Sequence, residues 1–170
     1  HLLFTGSGST GRAVMAAAAR NLCPVTLELG GKAPAIVCDD YPLRTAAERI
    51  LFVKYLNAGQ ICTSVDHAWL PPQHIDEFVK LSCEIVPKRY PRLDSPDYTS
   101  IVDQRSFDRL IGAMDDARSR GATLINLMSD GPAHDHRIAN LRLENFRAGR
   151  GPLGCLELIQ AQLHSHLRNL

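Results

Sequence analysis

The sequence has no C-x-x-C pair. Its five cysteines, Cys23, Cys38, Cys62, Cys83 and Cys155, are scattered and odd in number, which supports neither a disulfide framework nor a zinc ribbon. Reduced thiols fit better, so a cytoplasmic protein is expected. No run reaches the roughly 18 apolar residues of a membrane span, and no charged stretch leads into an apolar run with a small-residue cleavage site; a membrane is therefore not expected as a partner. Nor does one sign of charge dominate. With 19 Lys and Arg against 18 Asp and Glu there is no basic surplus to displace counterions from a phosphate backbone. That excludes nucleic acid as the expected partner and leaves a small molecule.

What remains is ordinary in bulk: 170 residues, 45% hydrophobic and 22% charged, close to soluble globular averages. That length holds one domain with a real core or parts of two. The opening His1-Leu2-Leu3-Phe4 reads as a strand already under way, so an internal segment is expected.

Leu2–Thr5 leads as a strand into Gly6-Ser7-Gly8-Ser9-Thr10-Gly11, and Arg12–Leu22 is an Ala-rich helix stopped by Pro24. Val25–Leu29 reads as a short strand buried except at Glu28, Ala33–Val37 as another, and Asp39-Asp40-Tyr41-Pro42 as a turn with N-cap residues. Leu43–Leu56 follows as a helix with Leu43, Ala46, Ala47, Ile50, Leu51 and Tyr55 on one face. Then come a strand over His67–Leu70, a helix over Ile75–Val86, a proline-rich connector, a helix capped by Asp103 and closed by Gly121, and a strand over Ala122–Leu127. Strands alternating with helices of this length imply parallel pairing in an α/β layered fold. Beyond Met128 the sequence mixes Arg, Gly and His without clean periodicity.

Three features carry chemistry. A glycine-rich turn between strand and helix directs backbone N–H groups to the positive end of a helix dipole, where a phosphate can sit; such loops more often merely turn the chain, and the spacing here is not a Rossmann fingerprint. Glu28 lies in Val25-Thr26-Leu27-Glu28-Leu29-Gly30-Gly31, where apolar neighbours would raise a carboxyl pKa toward that of a general base, although a solvent-facing strand-end Glu is the commoner outcome. Cys62 follows Asn57-Ala58-Gly59-Gln60-Ile61, a loop of small residues whose free N–H groups suit a nucleophile and an oxyanion. The other four cysteines read as small buried thiols. His134/His136 and His164/His166 match no zinc spacing, so no metal site is expected.

Taken together, Phe4-Thr5-Gly6-Ser7, Leu27-Glu28-Leu29-Gly30-Gly31-Lys32 and Asn57-Ala58-Gly59-Gln60-Ile61-Cys62 resemble the aldehyde dehydrogenase superfamily in order and spacing. Their flanks look closest to coniferyl-aldehyde-dehydrogenase-like members. The resemblance implies oxidation of an aldehyde to a carboxylic acid with NAD or NADP: Cys62 attacks the carbonyl to form a thiohemiacetal, hydride passes to the nicotinamide, and Glu28 activates the water that hydrolyses the thioester. It implies phosphate contact at Gly6 and Ser7, a nicotinamide bordered by Leu29, and a homo-oligomer in the full-length form. It covers residues 1 to 128, dividing them into the end of a cofactor-binding domain (1–29) and the first part of a catalytic domain (30–128), with a divergent tail over 129–170 for which poor order is one reading. The family's oxyanion Asn, its ribose-binding Lys and its Glu-Ile-Phe-Gly-Pro-type motif are not found, and Glu157 lacks that motif's setting. Ser64-Val65-Asp66 also departs from the commoner small-Pro-Asp pattern. A truncated enzyme is therefore expected, the alternative being a catalytically silent interaction module of the same family.

Overall fold

The computed structural model describes residues 1–128, together with the backbone of four strand segments at 133–134, 137–138, 140–143 and 154–157. The chain begins with β1 (Leu2–Thr5), α1 (Gly8–Ala19) and β2 (Val25–Glu28). β1 and β2 pair in parallel, from Leu2 opposite Val25 to Thr5 opposite Glu28. A second sheet starts with β3 (Ala33–Ile36) and continues through α2 (Leu43–Tyr55), β4 (Val65–Leu70), α3 (Ile75–Arg89), α4 (Gln104–Ser119) and β5 (Thr123–Asn126). Beyond it lie a two-residue hairpin, β6 (Ala133–His134) and β7 (Arg137–Ile138), then β8 (Asn140–Leu143) and β9 (Gly154–Glu157).

The second sheet has the order β3-β4-β9-β8-β5. β3 and β4 are parallel, whereas β9, β8 and β5 join through antiparallel pairings. The α/β layering expected of the sequence is present; the parallel pairing expected is not met at β5, which joins β8 in antiparallel fashion, and β8 and β9 belong to the segment that showed no periodicity. No crossover helix is needed there, because antiparallel neighbours can be joined by short connections.

The core lies on this second sheet. Ala47, Leu51, Ala68, Leu70, Phe78 and Val86 are fully buried, drawn from the apolar stripes of α2 and α3 and one face of β4, and Ala58 joins them from the turn after α2. The connector between α3 and α4 contributes as well: Leu93, Tyr98 and Ile101 are buried, and Tyr98 packs on Tyr55 and Tyr90 with ring centroids 6.0 and 5.1 Å away. Periodicity does not reveal such a segment, because its apolar residues lie on an irregular backbone.

Several local expectations shift. α1 begins at Gly8, inside the glycine loop, because the Ser7 hydroxyl accepts from the Thr10 N–H at 3.2 Å and caps it. It ends at Ala19, well before Pro24, as Leu22 turns into the left-handed region at φ 52°. Asp39 and Asp40 do not cap α2, whose N-cap position is Pro42; Asp39 instead accepts from Gln73 and pairs with His74. α3 runs through Pro87 to Arg89, since a proline in the last turn forfeits a single backbone bond. Asp103 caps α4 through the Ser106 N–H at 2.7 Å, and Gly121 follows that helix at φ 84°. Among the described residues no helix is long and apolar enough to cross a membrane.

Candidate functional site

A cleft of about 430 Å³ opens between the two sheets, lined by Thr5, Gly6, Ser7, Glu28, Leu29, Gly30, Gly31, Gln60, Ile61 and Cys62. All five residues singled out from sequence, Gly6, Ser7, Glu28, Leu29 and Cys62, face this one space. Topology brings them together. β1 and β2 run parallel, so the loop into α1 and the end of β2 emerge at the same sheet edge, the place where open α/β sheets bind ligands.

Glu28 is the last residue of β2, and its side chain alternates outward with Thr26 while Val25 and Leu27 turn inward. It is exposed, the solvent-facing outcome preferred from local sequence over enclosure by apolar neighbours. The cause is that, among the described residues, β2 pairs with β1 alone, which leaves this sheet open over much of its surface.

Cys62 is carried on an unusual turn. Asn57, Ala58 and Gly59 all adopt left-handed backbone, at φ 52°, 51° and 74°. Glycine accepts this freely and asparagine tolerates it, but for Ala58 it costs roughly 1–2 kcal/mol. Gln60 holds the turn: its side-chain amide donates to the Asn57 and Ser100 carbonyls, both at 3.1 Å, and its oxygen accepts from the Val102 N–H at 2.9 Å. The Ser64 N–H closes the following turn on the Ile61 carbonyl at 2.9 Å. Among the described residues the Cys62 N–H makes no hydrogen bond, so it is available to an oxyanion. Gly31 packs directly beneath, where a Cβ would stand 3.0 Å from the Cys62 carbonyl oxygen.

The phosphate-type end differs from expectation in its donors. The Gly6 N–H is spent on the Glu28 carbonyl at 3.0 Å, and the Ser7 hydroxyl is engaged with Ser9 and Thr10. The free donors of the first helical turn are those of Gly8 and Ser9, which have no intrahelical acceptor. Leu29 lines the cleft while packing on α1, its Cδ2 3.0 Å from where a Gly11 Cβ would be.

Cys62 is exposed, but so are Cys38 and Cys83, and Cys23 is half-buried; the expectation of buried thiols fails at these three. Cys38 lies just past β3, and Cys83 projects from the solvent side of α3, where partial burial still raises its thiol pKa. Cys155, Glu157 and the His134/His136 and His164/His166 pairs lie outside the residues whose side chains are described. Sequence reasoning assigned no role to Gln60, Gly31 or Lys32, although all three stood inside the motifs it quoted.

The family model that matches this chain is that of the aldehyde dehydrogenase family, over residues 1–139. The chain belongs to the aldehyde dehydrogenase family. A probable coniferyl aldehyde dehydrogenase of Pseudomonas aeruginosa is 55% identical over 132 residues, covering 77% of this chain and 28% of that protein. A coniferyl aldehyde dehydrogenase of a Pseudomonas species is 47% identical over 128 residues, covering 75% and 27%. Among solved structures, an NADP-dependent glyceraldehyde-3-phosphate dehydrogenase from Bacillus halodurans, complexed with NADP, superposes with a TM-score of 0.70 at 32% identity, over 81% of this chain and 29% of that one. This aldehyde dehydrogenase chain thus spans little more than a quarter of the length of the relatives it matches.

Proposed function

We propose that the chain carries the nucleophile and base of an NAD(P)-dependent aldehyde dehydrogenase acting on an aromatic aldehyde in the cytoplasm, and that it is a truncated form. The reading divides the described residues into the end of a cofactor-binding domain at 1–29 and the first part of a catalytic domain at 30–128. The observation that carries it is the convergence of Glu28 and Cys62 on one cleft, with a free Cys62 N–H beside them. Aromatic substrates are suggested by the names of the Pseudomonas relatives. Reduced thiols are consistent with the cytosol.

The Cys62 thiolate attacks the aldehyde carbon, and the resulting oxyanion is met by the Cys62 N–H. After oxidation, Glu28 takes a proton from a water that attacks the thioester carbon, the Cys62 thiolate departs, and a carboxylic acid is released. A nicotinamide dinucleotide, when bound, supplies the hydride acceptor. The residues present fit it: the first-turn N–H groups of Gly8 and Ser9 would meet a phosphate at the positive end of the α1 dipole, and Thr5, Gly6 and Leu29 border the cleft leading to Cys62.

The test substitutes residues 1–128 for the matching segment of the Pseudomonas aeruginosa relative and follows NAD(P)H formation with coniferyl aldehyde. Turnover is expected, with Cys62→Ser abolishing it and Glu28→Gln slowing it about 10²- to 10⁴-fold while an acyl adduct accumulates on Cys62. Full turnover by the Cys62→Ser chimera would refute the assignment. The 170-residue chain alone is expected to give none. A second reading, an interaction module without activity, is favoured by the bareness of the β1–β2 sheet: Leu3 is 71% exposed, and two strands by themselves are marginally stable. It predicts alkylation of Cys62 no faster than of Cys38 and Cys83.

A further inference from the structure

The Lys32 ammonium lies 2.7 Å from the Asp66 carboxylate. Lys32 follows Gly30 and Gly31, the glycine pair that leaves Glu28, and Asp66 stands four residues after Cys62. Lys32 and Asp66 are 34 positions apart, the same separation as Glu28 and Cys62, so the ion pair ties together the two segments that bear the chemistry. The pair is not a chance surface contact. The Asp66 side chain is 8% exposed, and its other oxygen is held by His67 Nδ1 at 3.1 Å. Its direction follows the alternation of β4, which puts Asp66 on the same buried face as Ala68 and Leu70. Ala33 pairs with Val65 but Pro34 with His67, so Asp66 has no opposite number on β3. Pro34 lacks an N–H and loses nothing to the interrupted ladder there.

We propose that Lys32 and Asp66 are positioning residues, a clamp that seats the Cys62 loop on Gly31 and so fixes the nucleophile relative to Glu28. The proposal rests on the reading of Cys62 and Glu28 as nucleophile and base. The loop follows three left-handed residues and is held to its own segment by the Ile61–Ser64 backbone bond and to α2 by the Ser64 hydroxyl, which donates to the Val53 carbonyl at 3.3 Å; the ion pair adds a tie to the segment that leaves Glu28. The Gly31 contact sets how close the loop comes, and the ion pair holds it there. Reacting groups lose rate steeply when displaced by about 1 Å, so the clamp acts on reactivity more than on overall stability.

Two measurements on the 170-residue chain test this. In hydrogen exchange, Lys32→Met is expected to speed exchange across residues 60–66 about tenfold, with Lys32→Arg restoring protection and α3 unchanged in both. Unchanged exchange over 60–66, or an equal rise in α3, would overturn the clamp. On the same samples, iodoacetamide labelling at Cys62 and Cys38 is compared by mass spectrometry. The ratio of the two rates should exceed one in the parent chain, fall at least threefold in Lys32→Met and recover in Lys32→Arg. A loosened loop with an unchanged ratio would refute the positioning role. A parent ratio near one would refute Cys62 as an activated nucleophile and would leave the exchange result, which does not depend on thiol chemistry, to decide the clamp by itself.

Discussion

Gly31→Ala probes the cleft through one methyl group. The added Cβ would meet the Cys62 carbonyl oxygen at 3.0 Å, against the 3.4 Å at which ordinary contact begins, so backbone must yield by a few tenths of an ångström. Gly31 does not adopt positive φ, so alanine is conformationally acceptable there. Reduced freedom in the unfolded chain then favours the variant by about 0.4–1 kcal/mol. Overpacking against backbone costs about 1–3 kcal/mol and wins, for a net loss of about 1–2 kcal/mol. For a chain of this size that lowers Tm by roughly 2–8 °C. Gly112→Ala is the control: it lies on exposed α4 surface with nothing within 4 Å of the new Cβ, and it should gain about 0.5–1 kcal/mol from helix propensity. The assay pairs a thermal melt with the rate of Cys62 alkylation, which Gly31→Ala should change at least twofold and Gly112→Ala should not. If Gly31→Ala stabilises as Gly112→Ala does and leaves the Cys62 rate untouched, the packing of the Cys62 loop on the glycine pair is refuted.

Among the described residues the Tyr55 hydroxyl is buried without a hydrogen-bond partner, and its pKa is raised well above the usual value, chiefly by that burial and then by the neighbouring Tyr98. Tyr55→Phe should therefore stabilise the chain by about 1 kcal/mol, read as a rise in melting temperature. Gln60→Ala removes three hydrogen bonds that hold the left-handed turn and should cost about 1–3 kcal/mol, with faster exchange at the Val102 amide. Asp103 has its pKa lowered by the Ser106 N–H it accepts, so its contribution is complete above the ordinary aspartate range. It is lost as pH falls through the lower folded value, below about pH 4. The melting temperatures of the parent and Asp103→Ala chains should thus converge in acid, and a gap that stays constant would refute this capping role.

The described helices were legible in the sequence because their apolar residues recur at helical spacing, as in Leu43, Ala46, Ala47, Ile50 and Leu51, and because Asp103 and Gly121 mark the ends of α4 by local backbone chemistry. The resemblance of three motifs to the aldehyde dehydrogenase family singled out Glu28 and Cys62 as a related pair. Only the tertiary structure decided that parallel pairing of β1 and β2 opens the ends of both strands onto the cleft that Cys62 also lines, that Glu28 stands exposed, and that Gly6 spends its N–H on the Glu28 carbonyl. It also decided that Lys32 meets Asp66, and that the connector carrying Leu93, Tyr98 and Ile101 is core. The physical reason is common to all of these. Periodicity and capping are set by neighbours a turn away, whereas burial, donor availability and ion pairing depend on groups tens of residues distant, which the chain brings close only when its sheets assemble.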